Sequence, residues 1–353
     1  MPEDRLRAVA TGLGAELVQA ERKDERWHGR RVLTVDGSAV TLPDTKPNQA
    51  AYPQPIGQAA GCGFPVMYVC TVMSLISGAL LDFAMGGGAG HELALWRQLW
   101  ALLNPGDVVL ADALYSSYAD LALLRERGVD AVMRLRRRKT DFRCGIIFGL
   151  KDHLVCWQRP KQLPEWLGNR ALPAEMTVRE IRFRVDVPGF RSTEVTLVTT
   201  LLDPNAYPKE ELAELYCRRW QMELRLRDIK TMLGMECLRT KTPERARKEL
   251  WMHLAAYNLL RTLMCAAADT AGEAVARLSF QGCRQRLLAT ITSAKLAQSF
   301  RRRYRRLLQD LADDLNPHRP FRIEPRAIKR RPKQYDRLNR PRAVLRAKLT
   351  GAA

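Results

Sequence analysis

The chain has 353 residues, 46% hydrophobic and 27% charged, which is ordinary for a globular protein with material for one large domain or two smaller ones. Its charge is not ordinary: 58 Lys and Arg against 38 Asp and Glu give a net +20, which favours a polyanionic partner because each cation near a phosphate releases a condensed counterion. Eight scattered cysteines without a CxxC pair argue against a zinc site or a disulfide framework, and an N-terminus without an apolar core argues against a signal peptide, so a cytoplasmic protein with reduced thiols is expected.

In chain order, residues 1–30 are mixed and charged, with room for one short helix. "RRVLTVDGS" then reads as a strand ending at Asp36, followed by a loop rich in Pro, Asn and Gln up to Pro65. The longest apolar stretch, Phe64–Met85, is interrupted by Ser74, Ser77, Gly78 and Asp82. It predicts a hairpin of Val66–Ser74 and Ala79–Met85 rather than a membrane span. "GGGAG" at Gly86–Gly90 lacks the Lys-Ser/Thr of a phosphate loop and reads as a flexible link into a helix, His91–Leu103, that Pro105-Gly106 stops. "DVVLAD" is a short strand closing on Asp112, "SYADLALLRERG" a helix ending at Gly128, and "VDAVMRL" another strand. This order predicts a mixed α/β sheet.

From about Arg136 to Thr200 the pattern turns β-rich, with "CGIIFG", "HLVCWQ", "TVREIRFRV" and "EVTLVTTLL" as strands of an insertion. Helices follow over Tyr216–Leu233, Arg245–Ala268 and Gly282–Ala297. "RRRYRR" at Arg301–Arg306 reads as a DNA-contacting helix face, with a solvated face as the plainer alternative. Residues Arg319–Lys348 carry 12 Lys or Arg against Glu324 and Asp336, and suggest a disordered or nucleic-acid-hugging arm.

One stretch stands out chemically. On a single helix turning 100° per residue, Tyr216, Arg219, Glu223 and Lys230 project within roughly 60° of one another. Alone, such a stripe is a solvated face with i,i+4 ion pairs. Asp36 and Asp112 change its meaning, because polar groups just beyond apolar strand ends gather at the edge of a site in an α/β sheet. Singly, each aspartate is an ordinary turn or cap residue. Together with Glu223 they make a carboxylate cluster that needs a cation, and oxygen-only ligands suit Mg²⁺ or Mn²⁺. Asp44 and Asp107 read instead as turn and cap residues.

These residues also resemble a known family. "Y-x2-R-x3-E-x6-K" at Tyr216, Arg219, Glu223 and Lys230 looks like the YREK signature of insertion-sequence-family-four DDE transposases. "VDGSAVTLPDT" resembles that family's first-aspartate segment, with Ser38 where Thr is usual, and "GDVVLADALYSSYADLALLRERGVDAVMRL" its second. The resemblance runs from about Arg31 to the C-terminus. It implies an RNase H-like mixed-sheet core interrupted by a β-rich insertion, then C-terminal helices and a basic tail. The expected division is a 1–30 remnant of an end-recognition region, core at 31–135, insertion at 136–202, remaining core and helices at 203–300, and tail at 301–353.

The implied activity is cut-and-paste transposition, with Asp36, Asp112 and Glu223 as ligands of two Mg²⁺ (or Mn²⁺) ions and Tyr216, Arg219 and Lys230 on the terminal DNA phosphates. The implied partners are double-stranded DNA, as terminal repeats and target, and a second copy of the chain on paired ends, at the nucleoid. Trp157 and Trp166 are candidates for stacking on a flipped base, against a core or loop-anchoring role. Because only 35 residues precede Asp36, a truncated copy or a start codon assigned too far downstream is also expected, and a catalytically idle DNA-binding remnant is the alternative function.

Overall fold

The computed structural model describes residues 1–88, 92–135, 140–185, 193–292, 300–316 and 338–350. The chain opens with helix α1 (Glu3–Gln19), then strand β1 (Val32–Thr41), the short helix α2 (Lys46–Ala51), and strands β2 (Val66–Ser74) and β3 (Leu80–Gly87). Helix α3 (Glu92–Gln98), β4 (Val108–Ala111), α4 (Tyr118–Glu126) and β5 (Asp130–Arg134) follow. The β-rich segment supplies β6 (Ile146–Gly149), β7 (Asp152–Gln158), β8 (Glu175–Val185) and β9 (Thr193–Thr199). Helices α5 (Lys209–Cys217), α6 (Trp220–Arg227), α7 (Pro243–Ala271), α8 (Phe280–Thr292), α9 (Phe300–Ala312) and α10 (Arg342–Leu349) complete it.

The nine strands form one mixed sheet in the order β3-β2-β1-β4-β5-β9-β8-β7-β6. β1, β4 and β5 run parallel, and every other pairing is antiparallel. The four strands of the β-rich segment therefore prolong the sheet that carries β1 and β4. This is the mixed α/β fold class expected from the sequence, with the helices C-terminal.

Side chains alternate across a strand, so β2 feeds two cores. Met67, Val69 and Met73 join a cluster with α6, α7 and the start of α1, whereas Cys70 and Val72 join one with α3 and α4. Helix α1 runs to 17 residues, longer than the charged N-terminal segment suggested, because Leu6 and Ala10 bury against the α7 core. All eight cysteines are free thiols. No helix among the described residues is long and apolar enough to cross a membrane.

Three local expectations need correction. Asp36 does not end its strand: β1 continues to Thr41, pairing with β2 all the way. Only its partnership with β4 stops, at Thr34. The helix expected over Tyr216–Leu233 is broken. The α5–α6 junction tightens to i→i−3 bonds, Arg219 N–H to Tyr216 O at 3.0 Å and Met222 N–H to Arg219 O at 2.9 Å. Residues Asp228–Met232 then widen into a π-helical turn. Finally, part of the basic tail is folded. Arg342 starts α10, pairs with Asp44 at 3.1 Å, donates to Gly63 O at 2.8 Å and lies 3.8 Å from the Phe64 ring centroid. The rest of the expected basic arm, residues 319–337, lies outside the described residues, as do Ala89, Gly90 and His91 of the Gly-rich link and the helix start after it.

Candidate active site

The two aspartates meet because of strand register. β1 pairs in parallel with β4 through Val32↔Val108, Leu33↔Val109 and Thr34↔Leu110, so Asp36 and Asp112 each lie two residues past the last pair at the same end of the sheet, close enough for the Asp112 charge to act on Asp36. Adjacent strands lie about 4.8 Å apart. Alternation puts Thr34 and Asp36 on the same face of β1, and that face is covered by α6: the Thr34 hydroxyl lies 3.3 Å from the Met222 sulfur, both buried. Met222 immediately precedes Glu223, so this contact packs the start of α6, with Glu223 and its partner Arg219, on the face of β1 that carries Asp36.

Each carboxylate is partly committed. Asp36 Oδ1 accepts the Gly37 N–H at 2.9 Å, and Asp112 Oδ1 accepts the Leu114 N–H at 2.7 Å. Burial is the main force pushing the Asp36 carboxyl up to about 6. The charges of Asp112 and Glu92 push the same way, while the Arg219 charge and the Gly37 N–H oppose them. Glu223, on α6, accepts from Arg219 Nη2 at 3.1 Å.

Arg219 is the centre's counter-charge. It interacts electrostatically with both Glu223 and Asp36, and its guanidinium stands 5.7 Å from the Tyr216 ring centroid. Its Nε is buried and has no hydrogen-bond partner. Tyr216 is buried among Val32, Leu110, Leu212 and Leu215, so in this state it carries the arginine from beneath. Lys230 falls in the π-helical turn that follows α6.

Three contributors were not singled out in the sequence. A Cβ on Gly37 would fall 2.2 Å from the Glu92 carboxylate carbon, so glycine here makes room for Glu92, which packs behind β1. The buried Tyr115, three residues past Asp112, donates to Glu92 Oε1 at 2.5 Å and ties the Asp112 turn to α3. Arg134 on β5 adds a positive charge near Tyr216. Only "DG" and the spacing Asp112–Tyr115 hint at these contacts. The two candidate tryptophans differ from each other. Trp157 is buried and donates to Glu180 at 2.7 Å, while the half-exposed Trp166 has the Arg97 guanidinium 3.6 Å from its ring centroid.

Among the described residues no three His, Cys, Asp or Glu side chains converge closely enough to cage a metal ion. The donor set nevertheless fits a hard divalent cation. Mg²⁺ takes one or two protein carboxylates and fills its shell with water and phosphate oxygens, and Asp36 and Asp112 are two such carboxylates, with Arg219 paired to Glu223 and acting on Asp36.

The family described as a transposase DDE domain matches residues 27–259. The chain belongs to the DDE transposase family. Its 323 aligned residues are 30% identical to the transposase InsG of insertion sequence element IS4 from Escherichia coli (strain K12), covering 88% of this chain and 70% of that protein. It is 22% identical to the transposase of insertion sequence element IS231B from Bacillus thuringiensis subsp. berliner, over 67% of this chain and 57% of the relative. A solved structure, the piggyBac transposase synaptic complex with hairpin DNA, aligns at 12% identity and a TM-score of 0.42, over 79% of this chain and 57% of that one. Membership in the DDE family makes this chain a DNA-cleaving transposase that depends on divalent metal.

Proposed function

We propose that Asp36, Asp112 and Glu223 form the catalytic triad of a cut-and-paste transposase, one that cleaves the ends of an insertion sequence and joins them to target DNA as a homodimer on paired ends. The observation that supports this most is Arg219, which bonds to Glu223 while its charge acts on Asp36, whose carboxyl in turn feels the charge of Asp112. Asp36 and Asp112 would hold Mg²⁺ or Mn²⁺, two ions in the full complex, with Glu223 joining them as Arg219 turns to DNA. The ions would activate a water or a 3′-hydroxyl and neutralise the leaving oxygen.

The chain's own residues do the rest. Arg219 offers its unpartnered Nε and its fork to a terminal phosphate, which releases the Glu223 carboxylate. The Tyr216 ring keeps the guanidinium in place and its hydroxyl borders the same strand end. Lys230 adds a point charge along the backbone of the reacting strand. These three complete the YREK pattern of the family.

Duplexes bearing the terminal repeats of the element's own locus test the reading. Nicks and hairpins at those ends in Mg²⁺ and Mn²⁺, none in EDTA and none on random duplexes, are the expected result; binding without cleavage in either metal overturns it. Arg219→Ala is expected to weaken binding to cleaved ends about tenfold, the cost of one charge-assisted contact, and to spare random duplexes. Equal losses on both DNAs, read by fluorescence anisotropy, would sink that role.

A further inference from the structure

The basic run at Arg301–Arg306 lies beyond residues 27–259, the part matched to the family, and the catalytic chemistry leaves it unused. It occupies the first half of α9, and helical geometry sorts it cleanly. Arg301, Arg302, Arg305 and Arg306 fall on one arc of about 140°, and all four are exposed. Tyr304, Leu307, Leu308 and Leu311 fall on the opposite side, and that side packs into the core built by α7 and α8. The helix is thus fixed by its apolar face and holds four guanidinium groups out from a rigid support.

Among the described residues nothing consumes their charge: none of the four forms an ion pair, whereas nearby Arg286 of α8 does pair, with Asp314 at 3.3 Å. The acids closest in sequence are Asp310, one turn past Arg306 and not paired with it, and Asp313 and Asp314, just beyond the end of α9. Four unpaired arginines held at helical spacing repel one another, a cost that a row of phosphates would reverse. Helix α9 packs on α7 and α8, and α8 touches the π-helical turn that carries Lys230. The arginine face therefore belongs to the helical layer beside the catalytic helix.

We propose that the Arg301–Arg302–Arg305–Arg306 face of α9 is a second DNA contact, docking the phosphate backbone of duplex DNA without reading its sequence, apart from the reacting end held at Arg219. The inference rests on the reading of the chain as a transposase acting on duplex DNA, and the test separates the two.

The full chain with Arg301, Arg302, Arg305 and Arg306 all changed to Gln keeps good helix formers on an exposed face. Its affinity for terminal-repeat and for random duplexes would be measured against NaCl concentration. The expected result is an equal weakening on both DNAs, with the slope of log affinity against log salt shallower by about 2–4, since each lost phosphate contact removes roughly 0.9. A companion with all four changed to Lys is expected to keep the wild-type slope. An unchanged slope in the Gln variant overturns the proposal, and so does a Lys variant that behaves like the Gln variant. Should the Gln variant fail to fold by circular dichroism, the pair Arg302→Gln and Arg305→Gln decides: a slope shallower by about 1–2 supports the contact and an unchanged one overturns it. Absence of any duplex binding by the unchanged chain would count against the transposase reading itself.

Discussion

Asp36→Asn is expected to abolish cleavage and, in metal-free buffer, to make the protein more stable. The carboxyl of Asp36 is pushed up from 3.8 to about 6, first by burial and then by Asp112 and Glu92. Between those two values the folded protein holds a proton that the unfolded chain has released. Stability therefore falls as pH rises through that window, and it is regained on acidification. Above pH 6 the ionised group costs the fold up to about 3 kcal/mol, roughly two units at 1.36 kcal/mol each. Asn fills the same space, keeps an acceptor for the Gly37 N–H and carries no charge. Thermal melts in EDTA from pH 4 to pH 7 should show a melting temperature several degrees higher at pH 7, and a flatter pH profile. A lower melting temperature at pH 7 would mean that Asp36 is a structural residue. Glu223→Gln is the contrast. Its side chain is 39% exposed and already paired with Arg219, so cleavage should vanish with little change in stability.

The difference between these two carboxylates was only partly legible in the sequence. "VVLA" followed by Asp112 marks a buried strand and its end, because a short apolar run between turn residues has few other readings. The hairpin around "ISG" and the helix after Ser117 were equally local, the latter with the Ser117 side chain capping Asp120 N–H. Asp36 was harder. "DGSAVT" looks like a turn, yet it continues as a strand because β2, thirty residues later, pairs with it.

Non-local causes also explain the other differences. The periodicity of Tyr216–Leu233 suits one helix, but the chain must both bury Tyr216 under Arg219 and seat Met222 on Thr34. The tightened junction and the π-helical turn on either side of α6 accompany that double demand, as such irregularities often do at functional sites. Glu92 carried no signal because its meaning depends on Gly37 and Tyr115, which sequence spacing does not bring together. Nor could the pattern of the β-rich segment say which sheet its strands would join, since pairing of β9 with β5 is a tertiary fact.

Arg225→Ala is expected to cost roughly 2–4 kcal/mol of stability, the loss of its buried carbonyl bonds less the relief of a buried charge, and to take cleavage with it. Arg225 is buried on α6, two residues past Glu223, and points at the turn between β2 and β3. Its Nη1 donates to Ser74 O at 2.6 Å, and its Nη2 donates to Leu75 O at 2.7 Å and to Gln221 Oε1 at 3.0 Å. Arg261 of α7 donates to Ser77 O at 2.8 Å, and the Tyr257 hydroxyl donates to Gly78 O at 2.9 Å. Gly78 has φ +71°, and a Cβ there would meet both arginines at 2.8 Å, so the turn and its clamps are mutually fitted. Burial and the neighbouring Arg261 bring the Arg225 guanidinium down to about 10, so it remains charged at neutral pH without a carboxylate partner. Its attachment to α6 is therefore made of these carbonyl bonds, and alanine would leave the buried acceptors empty at about 1–3 kcal/mol each. Arg225→Lys cannot span both carbonyls and should recover only part of the loss. Urea unfolding beside the cleavage assay separates the possibilities. Stability within about 1 kcal/mol of the unchanged protein would refute the clamp. Cleavage lost at intact stability would instead place Arg225 in the chemistry, whereas parallel losses would show that the turn holds α6 and Glu223 on the Asp36 face of β1.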